Sequence, residues 1–403
     1  MVVAEGVARL LSFVFYIAAA RALAPADFGA VRYALALGLV AAGGTAVVAT
    51  ALGRELGASR ARPEAVGAVA GSGVVAAAAL LLLTLAATCV AAAAGVLGRA
   101  PIAGLLVAIT GLSTLQIYYA AAGALGHVRR MVTAYAGSSL LQLAGLLALA
   151  AAGSVDATTV LVLFGASNVA LCVLLEVVDP MWSWRALTPT REATRVLWRL
   201  SQPLAASSIG FLLWSCVDQI WVEATFPEED AGIYGAAKNL SMLFMVLPAA
   251  VRAVSMPRVA HLRAASDDAG ARALIARLLT VAVGLAAAVT VGAAVAGPTV
   301  IKAAYGDAYA AGDTAFLALA VSMALFAVFA TLVNAAVGWG RPGVTSVAYV
   351  VAAGIQLALL LAAGDDPSLA YAGWASAIAI AAALAVIAVL LRRAVRGDGG
   401  ADA

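Results

Sequence analysis

Trp214, Asp218 and Trp221 stand at i, i+4 and i+7 in an otherwise apolar stretch, so a helix there carries one carboxylate between two indoles on a single face. Indole faces suit the apolar faces of sugar rings, and a carboxylate at membrane depth also suits coupling to a proton or cation. Tyr234, Lys238 and Ser241 follow with spacings of four and three, a second polar face. Two plainer readings compete: an Asp218–Lys238 ion pair across neighbouring helices, and a place for Asp218 among tryptophans of the membrane interface. Near the start of the chain Glu5, Arg9, Ser12 and Tyr16 share another face. That face is either a polar stripe turned away from lipid or a local Glu5–Arg9 pair with snorkelling side chains. Arg32 and Arg54 bracket the next apolar segment. A guanidinium is permanently charged and binds phosphate bidentately, which suits a phosphorylated head group; Arg54 fits a simple basic-side anchor equally well. Ser113, Gln116, Tyr135, Ser139, Gln142, Asn168, Asn239, Asn334, Tyr349 and Gln356 add uncharged polar groups, most of them read as links between helices.

The elements that must hold these side chains are membrane helices. Of 403 residues, 64% are hydrophobic and 11% charged, against roughly 25% charged in an ordinary soluble domain. Twelve spans of about 20 residues use nearly all of that apolar supply. A soluble catalytic domain is therefore excluded, and 24 basic against 21 acidic residues is too even a balance for nucleic-acid binding. Apolar runs fall near 4–24, 29–53, 66–97, 101–123, 131–153, 157–178, 200–225, 231–254, 273–297, 313–337, 343–364 and 368–391. With the N-terminus inside, eighteen Lys and Arg residues lie on inner connections and the tail, and only Arg21, Arg32, Arg99, Lys238 and Lys302 lie outside. The positive-inside rule then predicts cytoplasmic termini and a multi-pass protein of the plasma (inner) membrane. The first segment lacks a cleavage site of the A-x-A kind and reads as a retained helix.

Absences narrow the chemistry. Cys89, Cys172 and Cys216 all sit in apolar runs, where a thiol acts as a small hydrophobe, so no disulfide framework or metal centre is implied. The two lysines follow Ala and Ile, which excludes a G-x-x-x-x-G-K-[ST] nucleotide loop. His127 and His261 are isolated, and no G-x-S-x-G elbow occurs. The expectation is a protein with no cofactor and no catalytic centre. Glu228-Glu229-Asp230 leaves one enzymatic alternative, a carboxylate cluster in a polyprenyl-sugar glycosyltransferase, against the simpler reading of a charged helix cap.

The chain also repeats itself. Gly126 to Leu143 aligns without gaps on Gly340 to Leu357, pairing Tyr135 with Tyr349 and Gln142 with Gln356, and Pro25-Ala-Asp27-Phe28-Gly29 with Tyr33 is echoed by Pro227 to Gly232 with Tyr234. Six spans per copy is an even number, so both copies enter the membrane in the same direction. The expected architecture is all-α, twelve transmembrane helices in two six-helix bundles related by a pseudo-two-fold axis along the membrane normal, with a cleft between them. The boundaries are an N-terminal bundle 1–180, a basic cytoplasmic linker 181–199 carrying Trp182, Trp184 and Trp198, a C-terminal bundle 200–391, and a disordered cytoplasmic tail 392–403.

These residues resemble a known family. Ala20-Arg21-Ala-Leu23-Ala-Pro25-Ala-Asp27-Phe28-Gly29 resembles the Arg-x-Leu-Gly-Pro-x-x-Phe/Tyr-Gly signature of polysaccharide flippases, the O-antigen and teichoic-acid type exporters of the multidrug/oligosaccharidyl-lipid/polysaccharide (MOP) superfamily. Asp218 followed by Gly232-Ile-Tyr234-Gly-Ala-Ala-Lys238 is similar to that family's Asp and Gly-x-Tyr-x-x-Ala stretch. Pro257-Arg-Val-Ala-His-Leu and Tyr305-Gly-Asp-Ala-Tyr309 match two later segments. Ala24 stands where the family has Gly, and the N-terminus is shorter. The resemblance implies a flippase that moves a polyprenyl-pyrophosphate-linked oligosaccharide outward by alternating access. Arg9, Arg32 and Arg54 would attract the pyrophosphate, with Trp214, Asp218, Trp221 and Lys238 on the opposite wall. H+ or Na+ is the expected coupling ion and a monomer the expected form, associated with a polysaccharide polymerase or sugar transferases. A cation-coupled exporter of drugs or metabolites on the same fold is the alternative.

Overall fold

The computed structural model describes residues 2–60, 62–182, 187–245, 258, 259, 261, 262, 265 and 267–398, with 2–5, 7–9, 63, 203 and 394–398 described by backbone alone. Among them are thirteen α-helices and no strands. The first seven are α1 (Val2–Ala22), α2 (Pro25–Ala41), α3 (Gly43–Ser59), α4 (Pro63–Ala93), α5 (Ile102–Ala124), α6 (Val128–Ala151) and α7 (Ala157–Val178). The rest are α8 (Arg191–Thr225), α9 (Glu228–Ser241), α10 (Asp268–Tyr305), α11 (Asp313–Gly338), α12 (Pro342–Leu361) and α13 (Leu369–Asp398), with 3-10 turns at Met242–Met245 and Asp307–Gly312. Among the described residues nine helices are long and apolar enough to cross a bilayer, and the bent pair α2–α3 makes a tenth. The two remaining expected spans correspond to α1, apolar over Leu10–Ala22, and to α9, whose continuation over 246–254 lies outside the described residues. The Pro257 segment and the tail beyond Asp398 lie largely or wholly outside them too.

Local chemistry sets the helix ends. Asp156 caps α7 by accepting the Thr159 N–H at 2.8 Å while the Thr159 hydroxyl accepts the Asp156 N–H at 3.0 Å, a reciprocal capping box. Gly126 and Gly340, the first residues of the repeated stretch, both have φ +80°, the left-handed region that closes a helix at little steric cost. Their hydrogen bonds match as well. His127 N–H reaches Ala122 O at 2.8 Å after α5, and Arg341 N–H reaches Ala336 O at 2.9 Å after α11.

The chain forms two compact units that divide within α8, after Leu212. In the first unit α5 packs against α2, α3, α4, α6 and α7. Its approach to α7 needs two glycines. A Cβ on Gly111 would lie 2.4 Å from Gly165 O, and one on Gly165 would lie 2.2 Å from Val107 O, so the backbones touch without side chains between them. In the second unit α11 is the central helix, packed against α9, α10, α12 and α13. Leu82, Leu83 and Val90 on α4 are exposed, as a lipid-facing helix requires.

The second span, read from sequence as continuous over 29–53, is broken at Ala42 and bent by 50°. The break falls at Gly43-Gly44, the weakest helix formers in the run. At the break Ala42 O accepts the Ala46 N–H at 3.0 Å and the Thr45 hydroxyl at 2.7 Å, and Thr45 Oγ1 lies 3.0 Å from the Ser113 hydroxyl on α5. The corresponding span of the second unit changes character at the same depth in the sequence, α9 giving way to a 3-10 turn at Met242.

Candidate functional site

In the second unit, α8 and α9 bring Asp218, Tyr234 and Lys238 together. Lys238 Nζ lies 2.5 Å from Asp218 Oδ1 and donates to Ser215 O at 2.6 Å, while the Tyr234 hydroxyl donates to Asp218 Oδ2 at 2.7 Å. All three are buried, with 2% of Asp218 and 4% of Lys238 exposed. Each carboxylate oxygen therefore has its own donor, as a buried charge requires. The local sequence explains the placement. Glu228, Glu229 and Asp230 occupy the first turn of α9 and Lys238 its last, both favourable to the helix dipole, and Ala231 through Ser241 are buried. Those three carboxylates are thus at a helix start. Among the described residues no group of three or more His, Cys, Asp or Glu is arranged to hold a metal ion.

The two indoles beside Asp218 differ. Trp214 is buried and stacks on Phe326 of α11 at 4.8 Å between centroids and 13° between planes. Trp221 is half-buried and meets Phe226 and Tyr371 at 5.7 and 6.0 Å. Further along, Asn239 donates to the Tyr305 hydroxyl at 2.9 Å, and Tyr305 packs on Tyr309, both from the Tyr-Gly-x-x-Tyr motif. Gly232 and Tyr234 of the other motif are buried in α9.

In the first unit, α1 and α2 bring Tyr16 under Arg32, whose Cζ lies 5.2 Å from the ring centroid. The Tyr16 ring also lies 6.4 Å from that of Phe164 on α7. Arg32 Nε is buried with no hydrogen-bond partner, and Arg32 forms no ion pair among the described residues. A cation–π contact stabilises a guanidinium but leaves its N–H groups available. Arg9 lies on α1, and its side chain falls outside the described set, as does that of Glu5. Arg54 is exposed on α3, beyond the break that separates it from Arg32. Of the signature at the end of α1, Phe28 and Gly29 are buried in α2, Pro25 opens that helix and Arg21 is exposed in the last turn of α1.

The repeat carries one asymmetry. Gln142 on α6 donates to Phe164 O and to Asn168 Oδ1, both at 3.3 Å. Its counterpart Gln356 is 0% exposed with neither amide atom bonded. Eleven residues into α7 stands Asn168; eleven residues into α13 stands Ile380, which is apolar.

Sequence reasoning passed over a second charged group. Arg130 on α6 pairs with Asp179 beyond α7, and Glu176 in the last turn of α7 accepts the Met181 N–H at 3.3 Å. Of this group Arg130 Nη1, Glu176 Oε1 and Tyr118 Oη are buried without a protein partner. The available signal was Glu176 itself, a carboxylate inside the apolar run Leu-Cys-Val-Leu-Leu-Glu-Val-Val.

A family model described as polysaccharide biosynthesis protein matches residues 1–263. Among curated proteins no sequence matches the chain. Among solved structures, the chain is similar to the inward-facing conformation of a multidrug resistance MATE family transporter of the MOP superfamily, at TM-score 0.77 and 13% identity over 99% of this chain and 96% of that one. The outward-facing conformation of such a transporter matches at 0.69 and 15%, over 98% and 95%. A MOP superfamily transporter from Pyrococcus furiosus, noted for a binding pocket of reverse polarity, matches at 0.70 and 14%, over 98% and 94%. The fold of this multi-pass helical membrane protein is therefore that of MATE transporters.

Proposed function

The chain belongs to the polysaccharide biosynthesis protein family, and from that premise we propose that it moves a polyprenyl-pyrophosphate-linked oligosaccharide from the cytoplasmic to the outer leaflet of the plasma membrane by alternating access. The observation that carries this reading is Arg32. A guanidinium held over Tyr16, with a buried N–H unbonded and no carboxylate paired to it among the described residues, suits a pyrophosphate. Arg9 on α1 and exposed Arg54 on α3 extend the basic path from the cytoplasmic side. Asp218 and Lys238 neutralise one another and serve the second unit as a pair, with Trp221 beside them offering an aromatic surface to sugar rings. The polyprenyl tail stays in the bilayer. With no nucleotide loop in the sequence, a gradient of H+ or Na+ drives the cycle; one charge crossing 100 mV is worth about 2.3 kcal/mol. Both termini are cytoplasmic, the protein works as a monomer, and polysaccharide polymerase or sugar transferases are its partners.

The test is leaflet accessibility of a labelled polyprenyl-pyrophosphate oligosaccharide in proteoliposomes. A hydrogen bond to a charged group contributes about 1.5–3 kcal/mol, so Arg32→Gln is expected to slow movement by roughly 10- to 100-fold. Arg9→Ala is expected to slow it as well. An unchanged rate in Arg32→Gln, with the protein folded, defeats the assignment of that residue. No movement of the lipid by the wild type under either gradient, together with efflux of a cationic drug, replaces the reading with a small-molecule exporter.

A further inference from the structure

The first turns of α8 build a groove that the transport reading does not use. Pro189, Thr190, Arg191, Thr194, Arg195 and Trp198 line a groove of about 480 Å³. Arg191, Arg195 and Trp198 stand at i, i+4 and i+7 and so share one helix face. The face opposite is anchored, because Ala193 and Leu197 are buried among Leu52, Leu56, Val69 and Ala70. The chain entering α8 is fixed too. Thr190 N–H donates to Ser72 Oγ at 3.1 Å, Ser72 Oγ lies 3.2 Å from Thr190 O, and a Cβ on Gly71 would come within 3.0 Å of Pro189 N. The groove is therefore a rigid feature of the first unit.

Its charge and its depth identify the occupant. Arg191, Arg195 and Arg199 form no ion pair among the described residues, and Glu192, the single acidic residue between Leu187 and Leu200, does not line the groove. The apolar run of α8 begins near residue 200. At 1.5 Å per residue Trp198 stands ~3 Å and Arg195 ~8 Å of helix before it, at the level of a headgroup layer roughly 5–8 Å thick, with Arg191 about one turn further out. Trp198 is 66% exposed, a costly position in bulk water but the preferred one for an indole at a membrane interface. Two unpaired guanidinium groups favour a phosphodiester and repel the cation of a zwitterionic headgroup. We infer that this groove binds the headgroup of an anionic phospholipid in the leaflet where α8 begins.

The experiment places the full-length protein in phosphatidylcholine nanodiscs containing chain-spin-labelled phosphatidylglycerol or phosphatidylcholine and reads the motionally restricted fraction. The wild type is expected to prefer phosphatidylglycerol by about fivefold for each arginine engaged. R191Q/R195Q is expected to lose that preference while keeping its thermal unfolding temperature, and R392Q/R393Q to keep both. Undiminished preference in R191Q/R195Q overturns the inference, as does an equal loss in R392Q/R393Q, which marks a general effect of charge. Displacement of phosphatidylglycerol by equimolar polyprenyl pyrophosphate, in the wild type but not in R191Q/R195Q, overturns it in favour of the transported lipid. Failure of the flippase reading leaves the expected lipid preference unchanged.

Discussion

A lysine ammonium 2.5 Å from a carboxylate inside the second unit, with a tyrosine hydroxyl on the other oxygen, is a closed set of hydrogen bonds. Its stability consequence is asymmetric. Removing one member strands a buried charge, at a cost of about 3–5 kcal/mol, whereas replacing both with apolar groups of similar volume is often neutral. Lys238→Met alone is expected to lower the unfolding midpoint in detergent sharply, and the double substitution D218L/K238M to restore most of the loss. Equal losses in the single and double variants show that Asp218 or Lys238 acts outside the pair. Arg32 makes the contrast at the same scale. Its charge rests against an aromatic face and is not cancelled among the described residues, which leaves it able to bind an anion. Gln142 and Gln356, aligned in the sequence repeat, differ: the first is bonded to Asn168, and neither amide atom of the second has a partner.

Among the elements, the broken second span is the one a straight-helix reading of hydropathy misses. A run of apolar residues marks a span and its approximate ends, but the bend falls at two adjacent glycines, weak helix formers whose place in the run hydropathy does not register. A Cβ on Gly44 would make ordinary contact with Leu80 at 3.8 Å, and one on Gly43 would displace the flexible tip of Leu212, 2.9 Å away. G43A/G44A therefore favours a continuous helix by about 2 kcal/mol from propensity alone. The expected result is normal protein level with slowed lipid movement, and a longer-range order across Ala42 seen as a narrowed distance distribution between spin labels on α2 and α3. An unchanged distribution shows that packing, and not glycine, sets the bend. Gly111 and Gly165 place a harder limit, since their backbones are already in contact.

For the whole molecule, orientation in the membrane follows from charge outside the spans. In a Cys89→Ala background, a membrane-impermeant maleimide is expected to label Asp366→Cys but not Glu64→Cys in intact cells, and the reverse in inverted vesicles. Labelling of Glu64→Cys from outside reverses the assigned topology and, with it, the direction of transport.

Fold class was legible because it rests on supply: 64% apolar residues and 11% charged leave a polytopic helical membrane protein as the outcome. The matching helix ends at Gly126 and Gly340 were legible because a left-handed turn admits few residues besides glycine. The Asp218 and Lys238 spacing was legible as two polar faces, and their pairing stood among the readings it allowed. Helical periodicity says which residues share a face of one helix; it does not say which helix lies opposite. Hence the seat of Tyr16 beneath Arg32, the stacking of Trp214 on Phe326, the charged group around Glu176 and the break at Ala42 were decided by tertiary packing. Each depends on contacts between segments far apart in the chain, whose geometry is set by backbone approach and not by spacing along one element.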